Sequence, residues 1–286
     1  MNILLISDFG IHHNHGGAQR SNQIIIDEGN DRGHYINCFH YDSSQNILDN
    51  KYDVVISSNL EVISHLYPGL LLRILELDNH IRLEHDSNTY WNNDFRKKFW
   101  ASAKISFFLT RFHYDFFIDL YGDIFHNVKI VPDPIDESFI DLKLERSDKI
   151  GYVGFMHYLK GTDNFIKYVD QNQDKKFIVA GWGDQKYESI MRQRQNIDFV
   201  GKIEYDRMVN FYNSIQSLYY NPVCNEPFCR SVGEALMCGT PIIGESDRIG
   251  SLKMYEDNPY GFRDSCINAA SDFWSIIEND FNTVSN

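Results

Sequence analysis

Short apolar runs recur along the first half of the chain, and each is separated from the next by an amphipathic or mixed segment. The runs are NILLISD, YINCFHY, YDVVISSN, HIRLEHD, KISFFLT and VKIVPDP, and a helix is predicted from about Gly17. Runs of this kind are typical of buried strands, and their alternation with helical segments predicts a doubly wound parallel sheet. Ligand-binding loops of such sheets leave at the carboxyl ends of the strands.

The same pattern restarts after the polar stretch DLKLERSD at residues 141–148. It continues through the apolar runs KIGYVGF, KKFIVAGWG, IDFVGKI, SLYYNPV and PIIGES, with helices predicted from Lys160, Tyr187 and Tyr205. A second α/β half is therefore expected, and the polar stretch is the candidate boundary.

The pattern predicts an α/β protein with two Rossmann-like domains, at 1–145 and 146–267, that face each other across a cleft. The tail at 268–286 carries apolar residues at helical spacing, among them Trp274. It predicts an amphipathic helix that packs back on the N-terminal domain.

Composition narrows the class of protein. The 286 residues are 43% hydrophobic, which is enough for a sizeable core. A formal net charge of −13 argues against a surface that tracks the phosphates of a nucleic acid, although it allows a local basic pocket.

Targeting signals are not evident in the sequence. The start, MNILLISDFG, reaches Ser7 and Asp8 without a basic segment, which predicts a first strand and not a secretory signal. No apolar run approaches the about 20 residues of a membrane-spanning helix. Five cysteines, an odd number, favour reduced thiols and a cytoplasmic location. Cys224 and Cys229 are a poor candidate for half a zinc site, since no second CxxC accompanies them.

The stretch NEPFCRSVGEALMCGTPIIG, residues 225–244, reads as a loop, a helix and a strand. The helix is predicted over residues 229–237, with Gly239 at its C′ position. Glu226 in the loop and Glu234 in the helix can receive different hydroxyls of one ligand. The N–H groups of the first helical turn, from Phe228 to Arg230, favour a bound anion.

Three further stretches are candidates for chemistry. Gly16-Gly17 ends the loop after the first strand and allows close approach of a ligand. His85 follows a buried strand, either as a ligand-binding side chain or as a histidine that satisfies a core hydrogen bond. Lys160-Gly161 opens a helix, so an ammonium and helix N–H groups converge on a phosphate, unless the lysine is merely solvated.

Two cofactor interpretations are weak. GxGxxG is absent, which argues against a nicotinamide cofactor. His12, His13 and His15 lie close together, but no acidic partner is fixed by spacing, so a polar loop is the better interpretation than a metal site. We therefore predict no metal ion and no cofactor.

Taken together, the motifs GGAQR, EHD, PDPID, YVGFMHYLKG, AGWGD and EPFCRSVGEALMCGTPIIG resemble those of glycosyltransferases of the GT-B fold. The resemblance is closest to the retaining family 4 enzymes with their E-x7-E motif. It runs from residue 2 to about 245 and is strongest over 150–244, where the order and spacing of the motifs agree.

The resemblance implies roles for the candidate residues in donor binding and transfer. Glu234 would bind the ribose hydroxyls of a nucleotide donor, such as a UDP- or GDP-sugar, and Glu226 would bind the donor sugar. Lys160 would meet the diphosphate. The N–H groups around Phe228, Cys229 and Arg230 would hold sugar or diphosphate.

In the first half, the resemblance implies that His85 approaches the sugar near the reacting carbon. Gly16 and Gly17 would lie between the leaving phosphate and the acceptor. No protein side chain is implied as general base, because a donor phosphate oxygen takes that part.

The chain departs from the family pattern in three places. Phe155 stands where the family usually has the arginine that shares the diphosphate with Lys160, and Arg230 is a candidate replacement. Pro227 and Cys229 stand where glycine is frequent, which narrows the backbone freedom of that loop. Pro132-Asp133-Pro134 replaces a Pro-Asn-Gly turn. No Asp-x-Asp motif occurs, which is consistent with metal-independent transfer.

The sequence thus predicts transfer of a sugar, with retention, from a nucleoside diphosphate to an acceptor hydroxyl, with a saccharide or lipid-linked glycan as acceptor. Glycosylation of a hydroxymethylated DNA base is an alternative that the acidic charge disfavours. A basic surface stripe would favour it, with candidates at Arg20, Arg96, Lys97, Lys98 and Arg111. A non-catalytic nucleotide-sugar binder and a sugar-nucleotide epimerase also remain open.

Overall fold

The computed structural model describes residues 1–13, 16–43, 50–87 and 93–282. The chain divides into two compact units, Met1–Pro134 with Asp264–Asn286, and Ile135–Arg263. This division falls at 134/135 and 263/264, whereas the sequence-based division lies at 145/146 and 267/268.

The first unit is built on a six-stranded parallel sheet. Its strands are β1 (Asn2–Ile6), β2 (Tyr35–Phe39), β3 (Val54–Ser57), β4 (His80–Leu83), β5 (Ile105–Phe108) and β6 (Val128–Ile130). They are ordered β2-β1-β3-β4-β5-β6, and every pair is parallel. All six runs of the first half therefore form strands as predicted. The order reverses between β1 and β3.

Helices connect these strands. They are α1 (Gly17–Asp31), α2 (Glu61–Leu66), α3 (Pro68–Leu75), α4 (Asn93–Ala101) and α5 (Arg111–Tyr121). The start of α1 agrees with the prediction at Gly17. Strands β1, β3, β4 and β5 are buried almost throughout, as expected for a sheet that is covered on both faces.

The second unit has a five-stranded parallel sheet. Its strands are β7 (Lys149–Met156), β8 (Lys176–Gly183), β9 (Ile197–Gly201), β10 (Ser217–Tyr219) and β11 (Ile242–Ile243). Their order is β11-β10-β7-β8-β9. From β7 the chain adds β8 and β9 toward one edge of the sheet. It then returns to place β10 and β11 on the other side of β7. The topological switch point therefore lies between β7 and β10, where open α/β sheets bind ligands.

The helices of the second unit are α6 (Thr162–Gln171), α7 (Gln185–Arg192), α8 (Met208–Ser214), α9 (Arg230–Met237) and α10 (Gly250–Asp257). The helix predicted from Lys160 is in fact a 3₁₀ turn, Tyr158–Lys160, followed by α6. Gly161 separates the two because its φ of 76° is left-handed, so the chain cannot continue from the turn into the helix without a break.

The last helix, α11 (Phe262–Asn282), begins six residues before the amphipathic tail predicted at 268. From Asp264 onward it belongs to the first unit. Trp274 is fully buried there and its indole N–H donates to the Ile25 carbonyl over 2.7 Å. Arg32 adds an ion pair to Glu278 at 3.0 Å. Burial of a large aromatic ring with a satisfied N–H stabilises the packing of this helix on the first unit.

Membrane-spanning length and apolar character do not occur together in any helix among residues 1–13, 16–43, 50–87 and 93–282.

Candidate functional site

The loops that follow β7 and β10 are bound to each other at the switch point of the second unit. The Val223 amide donates to the Leu159 carbonyl over 2.9 Å, and the Asn164 side chain donates to the Asn221 carbonyl over 3.0 Å. A Cβ at Gly161 would overlap that same Asn221 oxygen. These contacts hold the turn that carries Lys160 against the loop that leads to Glu226.

Lys160 and Glu226 meet at this point. The Lys160 ammonium donates to Glu226 Oε1 over 2.7 Å, and the Tyr220 hydroxyl donates to the same oxygen over 3.0 Å. Partial burial lowers the pKa of Lys160, but the negative charge of Glu226 outweighs this and the pKa is raised. The lysine side chain is 42% exposed and the glutamate 9%, so the charged ammonium is open to solvent while the carboxylate is sheltered.

The main chain of Glu226 is fixed independently of its side chain. Its amide donates to the Arg248 carbonyl over 2.8 Å, and its carbonyl accepts from the Gly250 amide over 2.9 Å. Two main-chain hydrogen bonds to one neighbouring segment limit the motion of the loop. The carboxylate is therefore presented from a rigid backbone.

Glu234 lies on α9 with both carboxylate oxygens bound. Oε1 accepts from the Tyr205 hydroxyl over 3.3 Å and lies 3.3 Å from Arg230 Nη2, and Oε2 accepts from the Tyr212 hydroxyl over 3.2 Å. Burial raises the pKa of Glu234, and Arg230, Tyr212 and Tyr205 oppose that rise. The sequence did not predict the two tyrosines, because nothing in their spacing relates them to Glu234.

Phe228 and Cys229 lead into α9. Phe228 is 1% exposed and its ring lies parallel to that of Phe262 at 6.5 Å, so its side chain packs in the core. Cys229 is the N-cap of α9 with a φ of 70°, the left-handed conformation that favours glycine. Burial, followed by the charge of Glu226, raises the pKa of the Cys229 thiol to about 12, so it is neutral near pH 7.

The helix α9 ends as predicted. Its C-cap is Cys238, and Gly239 follows with a φ of 67°. A left-handed glycine at C′ is the usual way to stop a helix and turn the chain. Here the chain turns toward β11, which begins at Ile242.

His85 follows β4 in the first unit. Its Nε2 lies 3.1 Å from Asn22 Oδ1, its Nδ1 lies 3.4 Å from Asp133 Oδ1, and the residue is 6% exposed. Asn22 is on α1, whose N-cap is Gly16 and whose first residue is Gly17. The structure therefore connects His85 to the helix that the glycine pair introduces, and it also gives His85 the core hydrogen bond of the alternative interpretation.

A buried ion pair stands next to His85. Glu84 Oε2 lies 2.9 Å from Arg82 and 3.6 Å from Arg96. Burial raises the pKa of Glu84, but the two guanidinium groups outweigh it and hold the pKa at about 2. Arg96 is 2% exposed and packs over the Trp100 ring at 4.6 Å. It is therefore not part of a basic surface stripe.

Carboxylates from three neighbouring strand ends also lie close together in the first unit. Burial raises the pKa of Glu61 to about 8, and the charges of Asp86 and Asp8 add to this rise. Glu61 opens α2, whereas Asp8 follows β1 and Asp86 follows β4. The cluster was not predictable from the sequence because its members come together only through the strand order.

The histidine-rich loop does not form a metal site in the described residues. The rings of His12 and His13 lie 3.8 Å apart, and His13 Nε2 lies 3.0 Å from Asp42 Oδ2. Within the described ranges no group of three or more histidine, cysteine or acidic side chains is arranged to hold a metal ion. His15 lies outside those ranges.

Two large aromatic side chains are exposed at the ends of β7 and β8. Phe155 and Trp182 are register partners, 46% and 39% exposed, with ring centres 6.3 Å apart. Lys202 Nζ lies 5.5 Å from the Trp182 ring centre. The family resemblance implied an arginine where this chain has Phe155, but the pairing of Phe155 with Trp182 was not predicted.

Comparison with protein families gives one match. Residues 135–262 match the model of the family described as "Glycosyl transferases group 1". The matched range covers the second unit almost completely, including the switch point, Glu226 and Glu234.

A curated relative is similar to part of this chain in sequence. It is an uncharacterized 42.6 kDa protein in the cps region of Klebsiella pneumoniae, 29% identical over 115 residues. The similarity covers 40% of this chain, which spans only 30% of the length of that relative.

Solved structures resemble the whole chain. Sucrose-phosphate synthase from Thermosynechococcus elongatus has a TM-score of 0.70 at 12% identity, with 100% of this chain and 98% of that chain covered. HepE from Anabaena, in complex with UDP and glucose, has a TM-score of 0.62 at 14% identity, covering 100% and 96%. An alpha-glucosyltransferase in complex with UDP and a 13-mer DNA has a TM-score of 0.62 at 12% identity, covering 99% of each chain.

These comparisons establish the class of fold. The chain has two Rossmann-like units with parallel sheets, and its structural neighbours are glycosyltransferases of the GT-B fold. The prediction of an α/β protein with two Rossmann-like units is thereby confirmed. The family match to the second unit, together with the neighbours, supports a GT-B glycosyltransferase.

Proposed function

We propose that this protein transfers a sugar from a nucleoside-diphosphate donor to an acceptor hydroxyl. The observation that carries the proposal is the pair Lys160 and Glu226 at the switch point of the second unit, 2.7 Å apart, with Glu234 on the helix that follows. A cation and two carboxylates there match the charges of a diphosphate and the hydroxyls of ribose and sugar.

Lys160 is proposed to bind the diphosphate. Its ammonium is charged and 42% exposed, so it can exchange the contact with Glu226 for a phosphate oxygen without a change in the fold. Glu226 keeps the Tyr220 hydroxyl as a partner and is proposed to accept a hydroxyl of the donor sugar. Positive charge from Lys160 and the N–H groups at the start of α9 stabilises the leaving diphosphate, which is why we propose transfer without a metal ion.

The remaining assignments follow the family 4 resemblance and its E-x7-E motif. Glu234 is proposed to bind the ribose hydroxyls, and the amides around Phe228, Cys229 and Arg230 the sugar or diphosphate. His85, held by Asn22 and Asp133, is proposed to approach the sugar, with Gly16 and Gly17 near the acceptor. The bond from the anomeric carbon to phosphate breaks and a bond to the acceptor oxygen forms on the same face. The acceptor proton passes to a donor phosphate oxygen.

Substrate identity is also a proposal. The HepE neighbour is in complex with UDP and glucose, which favours a UDP-sugar among the candidate donors. The acceptor is proposed to be a saccharide or a lipid-linked glycan. The five free cysteines support a reducing compartment, and we propose the cytoplasm.

The test is a thermal-shift panel of UDP-, GDP- and ADP-sugars, because a ligand that binds only the folded state raises the melting temperature. We expect the sugar nucleotides of one base to raise the melting temperature. The same sugar nucleotides should release nucleoside diphosphate when the protein and a saccharide acceptor are present. Release that persists after treatment with EDTA would support metal independence. A panel in which no sugar nucleotide raises the melting temperature contradicts the proposal, and binding without release would indicate a non-catalytic binder.

Glycosylation of a DNA base is the second candidate, since one neighbour is an alpha-glucosyltransferase in complex with DNA. The net charge of −13 and the burial of Arg96 disfavour it. A hydroxymethylated oligonucleotide in the acceptor assay tests it directly.

Replacing Phe155 with arginine should strengthen binding of the nucleoside diphosphate by about fivefold, since a charge-assisted hydrogen bond at a partly exposed site contributes about 1 kcal/mol. Phe155 is 46% exposed, so little packing is lost. Isothermal titration of the diphosphate and of its nucleoside measures the effect, with Phe155→Leu as control. An equal gain for the nucleoside would contradict a position beside the diphosphate.

A further inference from the structure

Arg230 is a buried cation of the second unit. Its side chain is 7% exposed and that of Glu234 is 6% exposed, one helical turn further on. Arg230 Nη2 lies 3.3 Å from Glu234 Oε1 and donates to the Tyr205 hydroxyl over 3.0 Å, while that hydroxyl donates to the same Glu234 oxygen. Arg230, Tyr205 and Glu234 Oε1 therefore each contact the other two.

We propose that Arg230 is a positioning residue that acts through Glu234, holding this carboxylate ionised and oriented for the ribose hydroxyls. The inference rests on the proposed function, in which Glu234 binds the ribose. It revises the sequence-based hypothesis that Arg230 replaces the diphosphate arginine missing at Phe155.

The geometry distinguishes the two roles. Lys160, proposed for the diphosphate, is 42% exposed, whereas Arg230 is almost fully buried and directs Nη2 at a carboxylate and a phenol. Taking a guanidinium away from a buried carboxylate leaves that carboxylate uncompensated, which is unfavourable. Arg230 is therefore better placed to support Glu234 than to follow a diphosphate.

A carboxylate that accepts hydrogen bonds from both ribose hydroxyls has to be ionised, and its two oxygens have to face those hydroxyls. Burial favours the protonated form of Glu234, and Arg230 opposes this with a full positive charge in contact with the carboxylate. Tyr205 and Tyr212 fix the two oxygens from outside the helix. Loss of Arg230 should thus weaken ribose binding without any direct contact between Arg230 and the ligand.

Ligand truncation separates the two roles. Isothermal titration would compare the nucleoside diphosphate selected by the thermal-shift panel with its nucleoside, for the wild-type protein and for Arg230→Met. We expect about a tenfold loss for both ligands, the order expected when a hydrogen bond to a charged group is lost. A loss confined to the diphosphate, or no loss for either ligand, overturns the proposal.

The pH dependence of binding is a second readout. The pH midpoint of binding would not change if Arg230 only stabilised the fold. Without Arg230 the pKa of Glu234 should rise further, so affinity for the nucleoside should begin to fall at a higher pH when the solution is acidified. The midpoint should lie at higher pH in Arg230→Met than in the wild type. Tyr205, Tyr212 and Cys238 also face Glu234. Burial raises the pKa of Tyr212 well above its usual range and that of Cys238 to about 12, so both stay protonated.

Arg230→Lys serves as the conservative variant and keeps the proposal testable if Arg230→Met does not fold. It should restore most of the affinity and the wild-type midpoint, because it restores the positive charge. A lysine variant that binds like Arg230→Met, with the same shifted midpoint, contradicts the electrostatic role. Absence of any nucleotide binding by the wild type would be a failure of the proposed function and not of this inference.

Discussion

Replacing Lys160 with methionine should slow sugar transfer by about 10²–10³-fold, the usual loss when one preorganised group that stabilises developing charge is removed. Lys160 is a charged group at the switch point with a side chain that is 42% exposed, and in the proposed reaction the departing diphosphate would place negative charge in front of it. Single-turnover measurement of nucleoside-diphosphate release, at saturating donor, reports this step directly. Donor affinity should change less than turnover, because charge on the diphosphate grows as the bond to the sugar breaks.

Two variants control for this experiment. Lys167 is exposed on α6, so Lys167→Met makes the same change of charge nearby and should leave turnover unaltered. Lys160→Arg keeps the cation and should retain a large part of the rate. Glu226 keeps Tyr220 as a partner in Lys160→Met, but it loses its counter-ion, so the melting temperature has to be measured beside the rate. A Lys160→Met protein with normal stability and normal turnover would contradict the assignment.

The ion pair between Lys160 and Glu226 has a consequence for donor binding. Both groups are proposed to contact the donor, yet they contact each other at 2.7 Å. A donor therefore has to replace a contact that already exists, and its net gain is the difference between the two arrangements. In return, both side chains are held near their working positions before the donor arrives, which lowers the entropy that binding must offset.

Local sequence was sufficient for those features that depend on near neighbours. The alternation of apolar runs predicted the strands of both sheets. Gly239 was predicted at the C′ position of α9 and has a φ of 67°. Pro68 lies in the first turn of α3, where proline is tolerated. In each case one residue or one period decides the conformation.

Features that depend on strand order or on distant loops were not predictable from one sequence. Tyr205 and Glu234 are 29 residues apart, and they meet because α9 packs near the turn after β9. Asp8, Glu61 and Asp86 come together because β3 lies between β1 and β4. The 3₁₀ turn at Lys160 was missed because the contact of Gly161 with Asn221 is tertiary.

Replacing Gly161 with alanine should destabilise the second unit by about 3–5 kcal/mol, since two effects add. The φ of 76° is left-handed, which costs an L-residue about 1–2 kcal/mol. The new Cβ would also overlap the main-chain oxygen of Asn221, which cannot rotate away as a flexible side chain would. Equilibrium unfolding in urea of the otherwise unchanged chain, followed by circular dichroism, measures the change.

Gly201→Ala is the matched control for this change. Gly201 has a nearly identical φ of 74°, but a Cβ there meets no atom within 4 Å. Its replacement should therefore cost only the backbone contribution, about 1–2 kcal/mol, and the difference between the two variants isolates the overlap with Asn221. Equal losses of unfolding free energy in the two variants would mean that the loop after β10 can move away from the new Cβ at little cost. If the overlap is costly as expected, the fraction of Gly161→Ala that folds should bind the donor more weakly, because the turn that carries Lys160 is displaced from the loop that carries Glu226.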